Sequence, residues 1–217
     1  MERLNEIRLE GLLPEVFAGE GAGESEVWRR TLTFRRGTTY MIEAASGAGK
    51  SSLCSFIYGA RSDYQGTLTF DGTDAGSLSI AQWQRLRRES LAYLPQEPGL
   101  FGELTAMENI ELKRTLTGDV SAAQAERWMK ELGVDMRRDY KASKLSVGQQ
   151  QRVALIRSLC QPFDFLLLDE PVSHLDEANN RLAASIILSE ARRREAAVIA
   201  TSVGNPLLIE ADIRLRL

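Results

Sequence analysis

The sequence predicts an α/β fold in which a mainly parallel sheet carries helices on both faces. Strand-like and helix-like segments alternate along most of the 217 residues, which is typical of this architecture. Several of the strand-like segments, such as FLLL and VIA, are uninterrupted apolar runs, as expected for strands buried on both faces. A content of 43% apolar and 26% charged residues fits a globular protein with a sizeable core.

The first half of the chain is predicted to contain four strands and two helices. Period-two alternation in VWRRTLTF indicates the first strand, and the run TTYMIE indicates the second. The helix that follows is ended by Gly59, and a later helix is basic. The predicted strands cover 27–34, 38–43, 66–72 and 91–94, and the predicted helices cover 49–60 and 80–90.

The second half of the chain begins with a segment in which strand-like and helix-like patterns no longer alternate. Residues 104–132 show apolar positions at helical spacing in two segments with no strand between them, which predicts an all-α insertion in the α/β core. Alternation then resumes with a buried strand over 165–170 and a helix that runs to about residue 194. Strands over 198–202 and 211–217 complete the predicted sheet.

Charge and composition exclude several classes of protein. A net charge of −3 argues against a broad nucleic-acid surface, because phosphate binding needs a basic face, so no nucleic-acid partner is expected. No stretch approaches about 18 uncharged apolar residues, so no membrane span is predicted. Cys54 and Cys160 lie far apart in apolar contexts and are expected to be buried thiols in a reducing compartment, which favours a cytoplasmic location.

A phosphate-binding loop is predicted between the second strand and the first helix. The segment AASGAGKSS fits the end of the pattern G-x-x-x-x-G-K-[ST] in a strand–loop–helix context. Backbone N–H groups and a helix N-terminus there suit a triphosphate, with Lys50 on the β- and γ-phosphates and Ser51 on Mg²⁺. Ala44 replaces the first glycine, which would cost about 1 kcal/mol if that position needs a positive φ. The residues expected to bind nucleotide are Ser46, Gly47, Ala48, Gly49, Lys50, Ser51 and Ser52.

Two adjacent carboxylates end the buried strand FLLLDE. Asp169 is suited to hold Mg²⁺ through water, and Glu170 is suited to orient or deprotonate an attacking water. Adjacent carboxylates at a strand tip are otherwise uncommon, because a buried charge needs a partner. Together with the phosphate loop they predict hydrolysis of a nucleoside triphosphate.

Three further motifs resemble those of one family. The segment LSVGQQQR resembles the LSGGQ signature of ATP-binding-cassette (ABC) transporters, SHLD resembles their D-loop, and YLPQEPGLF places Gln96 at the Q-loop. The chain therefore looks like the nucleotide-binding subunit of an ABC transporter. The stretch LFGELTAMENIELKRTLTG and the minimal length resemble the lipoprotein-release, cell-division and macrolide-exporter branch, and short haem-exporter-type cassettes also show LTAxEN and a substituted signature.

The resemblance implies a P-loop NTPase (RecA-like) fold with an N-terminal antiparallel β part and a helical insertion. It implies a single domain over 1–217, with a core made by 1–95 and 160–217. The segment from about 96 to 159 is then expected to form the Q-loop, the helical subdomain and the signature helix.

The resemblance also implies a head-to-tail dimer, of two identical or two different cassettes, that sandwiches two ATP molecules with Mg²⁺. Each ATP would be held by the phosphate loop of one subunit and the signature of the other, beside a groove that receives a cytoplasmic helix of a transmembrane permease subunit. The chain would then sit peripherally on the cytoplasmic face of the inner membrane. The further residues implied are Phe17 on adenine, Gln96 on metal and water, and Ser146, Gly148, Gln149 and Asp176 on the opposing nucleotide.

Two positions depart from the family pattern. Val147 replaces the first glycine of the signature, which is expected to be tolerated if only its backbone approaches the phosphate. Ser202 occupies the strand tip where the family carries a catalytic histidine, and the single histidine of the chain is His174. Loss of one positioned contact to the transition state costs about 10²–10³ in rate, so slow hydrolysis is predicted.

Other functions remain open on the sequence alone. A regulatory clamp that binds ATP, dimerises and barely hydrolyses would use the same motifs. A heterodimer in which another cassette hydrolyses fits the substituted positions, whereas the intact Glu170 fits an active homodimer. Substitution of the missing histidine by His174 is disfavoured, and so is a soluble cassette acting on DNA or the ribosome.

Overall fold

A computed structural model of the chain describes residues 3–19 and 24–217. The strands in chain order are β1 (Glu6–Pro14), β2 (Thr31–Arg35), β3 (Thr39–Glu43), β4 (Tyr64–Phe70), β5 (Thr73–Asp74), β6 (Leu91–Leu94), β7 (Phe165–Asp169), β8 (Ala197–Ser202) and β9 (Ile213–Arg216). The α-helices are α1 (Lys50–Ile57), α2 (Ile80–Glu89), α3 (Ala106–Thr117), α4 (Ala122–Glu131), α5 (Val147–Leu159) and α6 (Glu177–Arg194).

Five strands form the predicted parallel sheet, in the order β6-β7-β8-β3-β9. Successive side chains of β7 point to opposite faces, and both faces are covered. Leu166 and Leu168 pack in a core shared with α5 and α6, whereas Phe165 and Leu167 pack in a core shared with α1 and the second sheet. Burial on both faces explains why these strands read as continuous apolar runs.

The second sheet is antiparallel, in the order β2-β1-β4-β5. The tetrapeptide TLTF occurs in both strands that flank β1, at 31–34 and 67–70, and each copy pairs with 7–10 of β1 in the same register. The two strands that flank β1 therefore present the same face pattern to it. This sheet is the N-terminal antiparallel part that the family resemblance implies.

The first predicted strand is wrong at its start. It begins at Thr31 rather than at residue 27, because Ser25 Oγ accepts the N–H groups of Val27 and Trp28 at 3.1 and 2.9 Å. Arg29 then adopts a left-handed φ of 58°, which a strand does not allow. The apolar residues of this turn are buried without being part of the sheet.

Helices replace strands between β6 and β7. In this described stretch α3, α4 and α5 pack together, and the backbone pairs across it at one isolated bridge, between Thr105 and Lys141. Trp128 and Met129 of α4 are buried in the core that α5 shares. The all-α insertion predicted over 104–132 is therefore observed.

The two cysteines are free and buried, as predicted. Burial raises the pKa of both thiols, so each is neutral at ordinary pH. Within 3–19 and 24–217, no helix combines the length and the apolar character needed to cross a membrane.

Candidate nucleotide site

The carboxyl ends of β3, β7 and β8 meet at one edge of the parallel sheet. In the sheet register Glu43 pairs with Ser202 and Asp169 pairs with Thr201. The phosphate loop follows β3 and Glu170 follows β7, so topology alone brings the predicted loop, the two carboxylates and the β8 tip together. Ligands of open α/β sheets bind at this edge.

The loop between β3 and α1 turns through two glycines with left-handed backbone. Gly47 has a φ of 82° and Gly49 a φ of 95°, and Gly49 is the N-cap of α1. The Ala44 N–H donates to the Ser202 carbonyl at 3.3 Å, which ties the loop to the tip of β8. Ala44 is not among the described non-glycine residues with positive φ, so the strain that its substitution would have caused is not present.

Lys50 is directed into the loop rather than toward solvent. Its ammonium donates to the Ala45 carbonyl at 2.9 Å and lies 3.8 Å from Glu170 Oε1, and its side chain is 4% exposed. A buried ammonium is stable only with partners, and here they are one carbonyl and one carboxylate. The cation predicted to reach the phosphates is thus fixed beside the carboxylate predicted to act on water.

The start of α1 offers free backbone donors to an anion. Of the six α-helices in the described ranges, α1 alone begins at a residue with no side-chain hydrogen bond to cap its N–H groups. Its first turn, Lys50 to Ser52, carries no acidic residue. Uncapped N–H groups, the helix dipole and Lys50 therefore all favour a bound phosphate at the same point.

Two aromatic side chains, Trp28 and Phe17, pack against the phosphate loop. Trp28 is buried, and its Nε1–H donates to the Ala48 carbonyl at 3.0 Å. A Cβ at Gly49 would lie 3.0 Å from Phe17 Cε2 and 3.0 Å from Trp28 Cζ2, so both rings pack closely against this left-handed glycine. The contact of Trp28 with Ala48 is not predicted by the sequence analysis. Phe17 lies beside the loop, and its role on adenine stays a prediction.

A threonine links the carboxylates to the β8 tip. Thr201 Oγ1 donates to Asp169 Oδ1 at 2.8 Å and accepts the Glu170 N–H at 3.2 Å. Asp169 is buried, and its charge adds to the effect of burial, which is the main reason that the pKa of the Cys54 thiol is raised. Ser202, the position predicted to matter, is 3% exposed at the end of the same strand. Thr201 was missed, because its role depends on the β7–β8 register.

The metal ligands predicted from the sequence are of the kind that Mg²⁺ takes. They are the hydroxyl of Ser51, the carboxylate of Asp169 and the amide of Gln96, and all three offer hard oxygen donors. No group of three His, Cys, Asp or Glu side chains that could hold a metal is found in the described part of the chain. Ser51 is half-buried and Gln96 is exposed. The Ser52 hydroxyl accepts from Arg61 Nη1 at 3.0 Å.

The signature segment, Leu145–Gln149, opens α5. Ser146 and Gln149 cap the helix reciprocally: Ser146 Oγ accepts the Gln149 N–H at 3.3 Å, and Gln149 Oε1 accepts the Ser146 N–H at 3.0 Å. Val147 is 51% exposed. A Cβ at Gly148 would lie 2.9 Å from the His174 carbonyl oxygen, so the second signature glycine is required by packing and the first is not.

The D-loop residues lie on the neighbouring turn. Asp176 caps α6 by accepting the Asn179 N–H at 2.8 Å, and this bond is the main reason that its pKa is lowered. His174 is exposed, and its Nδ1 lies 3.0 Å from Ser173 Oγ. Both residues are on the surface and available to a second chain.

An apolar groove of about 440 Å³ lies between the sheet and the helical part. Phe101 and Leu116 are exposed at it, and burial lowers the pKa of Lys113 within it, with Arg157 adding to the effect. The lining residues are Tyr58, Tyr93, Pro95, Phe101, Leu112, Lys113, Leu116, Arg157, Ser158 and Gln161.

Comparison with known proteins gives one consistent family. The family described as ABC transporter matches residues 29–173. The chain is 34% identical over 187 residues to the macrolide export ATP-binding/permease protein MacB 1 of Aeromonas hydrophila. The alignment covers 84% of the chain and 29% of that protein. The chain thus spans less than a third of the macrolide-export relative that it matches.

A second relative is matched over most of its length. The chain is 32% identical over 189 residues to the lipoprotein-releasing system ATP-binding protein LolD of Novosphingobium aromaticivorans, with 86% of the chain and 84% of the relative covered. Among solved structures, the dimeric structure of MJ0796, a bacterial ABC transporter cassette, matches with a TM-score of 0.75 and 25% identity. That alignment covers 90% of the chain and 87% of the solved one.

Proposed function

The chain belongs to the ABC transporter family, and from that premise we propose that it is the ATP-hydrolysing subunit of a transporter and works by closing as a dimer around two ATP molecules. The single observation that carries the proposal is the phosphate loop. Lys50 is buried beside the uncapped start of α1, at the same sheet edge as Asp169 and Glu170.

Binding would begin at the loop. The N–H groups from Ser46 to Ser52 and the α1 dipole hold the phosphates, and Lys50 exchanges its bond to the Ala45 carbonyl for phosphate oxygens. Trp28 and Phe17 keep the loop in this shape. The cost of burying Lys50 is already met in the folded chain, so its charge is in place before nucleotide arrives.

Hydrolysis would use the carboxylate edge. Glu170 accepts a proton from the attacking water, while the Thr201 hydroxyl donates to Asp169 and fixes its carboxylate. Ser51, Asp169 and Gln96 would hold Mg²⁺, which would neutralise part of the phosphate charge. The opposing subunit supplies Ser146, whose helix start approaches the γ-phosphate from the other side.

We expect this hydrolysis to be slow. Ser202 has a short hydroxyl that carries no positive charge, and the single histidine, His174, lies on the exposed D-loop. Loss of one positioned transition-state contact lowers the rate by about 10²–10³. ATP binding and dimer closure do not depend on that contact and should be retained.

The test is to add ATP and Mg²⁺ to the purified chain and to measure its association and its hydrolysis. ATP-dependent dimers with slow turnover support the proposal. A chain that stays monomeric at saturating ATP contradicts the dimer, and a turnover above about 10 s⁻¹, the median for enzymes, contradicts slow hydrolysis. The His174→Ala variant should hydrolyse at the unchanged rate.

A regulatory clamp is the second candidate, and Ser202 is the observation that favours it. Such a clamp would bind ATP, dimerise and pass the closed state to a membrane partner with little hydrolysis. Trapping the dimer with ATP and following its decay separates the two functions. Dissociation within seconds indicates a motor, and persistence for hours indicates a clamp.

The partner surface proposed is the apolar groove beside Gln96. Its exposed aromatic and aliphatic side chains suit the apolar face of a cytoplasmic helix from a transmembrane permease subunit. This docking would place the chain peripherally at the cytoplasmic face of the membrane. In the proposed single domain of 1–217, the core then binds nucleotide, and the segment of about 96–159 carries the groove and the signature.

A further inference from the structure

Gln151, in the second turn of α5, is a buried polar residue that the proposed mechanism does not use. Its Nε2 donates to the Glu170 carbonyl at 3.0 Å and lies 3.3 Å from Ser173 Oγ, and its Oε1 accepts the His174 N–H at 3.2 Å. Both ends of the amide are matched by partners of the right kind, so its orientation is defined. The side chain joins α5 to the turn that follows β7.

That turn carries Glu170 in an unusual backbone conformation. Its φ is 51°, in the left-handed region that residues other than glycine rarely adopt. Such a conformation persists when its surroundings determine it. Here the N–H is held by Thr201 Oγ1, and the carbonyl accepts from Gln151 and from Ser173. The direction of the Glu170 carboxylate therefore depends on these contacts.

A second contact joins the same helix to the same turn. Gly148 lies three residues before Gln151 and so on the same helical face. The backbone of Gly148 approaches the His174 carbonyl closely enough that a Cβ there would lie at 2.9 Å. Ser146 and Val147, at the start of α5, are exposed. One face of α5 thus contacts the turn that carries Glu170, whereas the N-terminus of α5 remains exposed to a ligand.

We propose that Gln151 is a positioning residue that holds Glu170 in its hydrolytic geometry from the signature helix. This rests on the proposed function, in which Ser146 of each chain contacts ATP bound to the phosphate loop of the other. The Glu170 of one site is then held by the helix that contacts nucleotide in the opposite site. One buried amide connects the two sites of the dimer.

A neighbouring glutamine provides a matched control. Gln150 Nε2 donates to the carbonyls of Ala142 and Leu145, both at 3.1 Å, so it also fastens α5 to main chain but does not touch the Glu170 turn. Each of the variants Gln151→Met and Gln150→Met removes two bonds to main chain at nearly constant volume, and Gln151→Met also removes the contact with Ser173 Oγ. We expect a similar fall in melting temperature for both.

Single-turnover hydrolysis at saturating ATP should separate the two variants. Misplacement of a reacting group by about 1 Å costs about 10²-fold in rate, which is the loss expected for Gln151→Met. Gln150→Met should stay within about twofold of wild type, and ATP affinity should stay within about twofold for both. Equal rates for the two variants would overturn the proposal.

Mixed dimers test which site is affected. A Gln151→Met chain paired with a Lys50→Ala chain has one working phosphate loop, beside the altered Gln151. A chain with both changes paired with wild type has one working loop, opposite the altered helix. The proposal predicts loss in the first pair and near-normal hydrolysis in the second, each relative to wild type paired with Lys50→Ala. The reverse pattern would mean that Gln151 only supports the signature and would overturn the proposal.

Failure of this inference is distinguishable from failure of the proposed function. If the wild-type chain neither dimerises nor hydrolyses in ATP and Mg²⁺, the proposed function is wrong. If the reference pair hydrolyses and the first mixed pair equals it, the role of Gln151 is wrong. Should Gln151→Met not fold, Gln151→Glu keeps the acceptor for the His174 N–H and removes the donors to Glu170, and the same loss is expected.

Discussion

The N-termini of α1 and α5 are assigned to the same phosphate from opposite sides, but they are built in different ways. The start of α1 is a left-handed glycine with no side-chain cap in the described structure, backed by Trp28 and a buried Lys50. The start of α5 is a complete capping box between Ser146 and Gln149 on an exposed surface. The start of α1 leaves its backbone N–H donors to a ligand, whereas the start of α5 satisfies some of its N–H donors with its own side chains.

This difference assigns separate roles to the two ends. The α1 end holds a buried charge and free N–H groups before nucleotide arrives, so it is expected to supply most of the affinity for ATP. The α5 end has two donors occupied by its own cap and no charge in its first turn, so it is expected to add a smaller amount, which appears as dimer closure.

Removal of the Lys50 charge should have the largest effect. In Lys50→Ala the α1 end loses its charged donor and Glu170 loses its 3.8 Å partner. A charge-assisted hydrogen bond is worth about 1.5–3 kcal/mol, so ATP affinity should fall about 10–100-fold, measured by nucleotide titration. Hydrolysis should fall by about 10³.

The control for Lys50→Ala is another partly buried lysine. Lys113 lies in the groove and bonds to Gln161 Oε1 at 2.7 Å, away from the phosphate loop. Lys113→Ala should leave ATP affinity unchanged in the isolated chain. If both variants lose affinity equally, the α1 end is not the main source of binding.

A histidine at the β8 tip should accelerate hydrolysis without changing binding. In Ser202→His an imidazole replaces the short hydroxyl at the end of β8, the strand whose last carbonyl accepts the Ala44 N–H of the phosphate loop. The turnover rate should rise by about 10²-fold, the value of one positioned contact to the transition state. The measurement is phosphate release at saturating ATP.

Ser202→Asn is the matched control for size and polarity, because its side chain does not become charged near neutral pH. It should leave turnover within about twofold of wild type. An equal increase in Ser202→His and Ser202→Asn would show that the missing histidine is not what limits hydrolysis.

The sequence predicts the residues at the start of α1 better than it predicts the contacts that hold them in place. Spacing of glycine, lysine and serine after a strand is local information, and it identifies the loop and the two carboxylates directly. The contact of Trp28 with Ala48 joins residues 20 apart in the chain, and the contact of Thr201 with Asp169 depends on sheet register. Neither is visible in a local pattern, so both were missed.

The same limit explains the error in the first predicted strand. Alternation in VWRRTLTF is real, but the Ser25 hydroxyl competes for two backbone N–H groups and turns the chain before Thr31. Strain at Ala44 was predicted only for the case that its φ is positive. In the folded loop its φ is not positive, so the strain does not arise. Patterns predict elements, whereas the boundaries and strained positions depend on tertiary contacts.

Loss of the Ser146 hydroxyl should weaken closure more than stability. Ser146→Ala removes the N-cap of α5, which costs about 1 kcal/mol of folding free energy, and removes the hydroxyl that we propose contacts the opposing γ-phosphate. The dissociation constant of the ATP-bound dimer should rise about tenfold, equal to about 1.4 kcal/mol. Sedimentation velocity in ATP measures it. Ser121→Ala, which removes the N-cap of α4, should lower the melting temperature similarly and leave the dimer unchanged.

The smallest effect is expected at Val147, the first substituted position of the signature. Its side chain is 51% exposed, whereas the neighbouring Gly148 has the close contact, so an isopropyl group at 147 need not block a phosphate. Val147→Gly should change the dissociation constant of the ATP-bound dimer by no more than about twofold. Gly148→Ala, its counterpart on the packed face, should lower stability by about 1–3 kcal/mol, because the new Cβ would force the His174 turn to move. A tenfold tighter dimer in Val147→Gly would mean that the valine obstructs the α5 end, and that the weakness of this end arises from a side chain rather than from its cap.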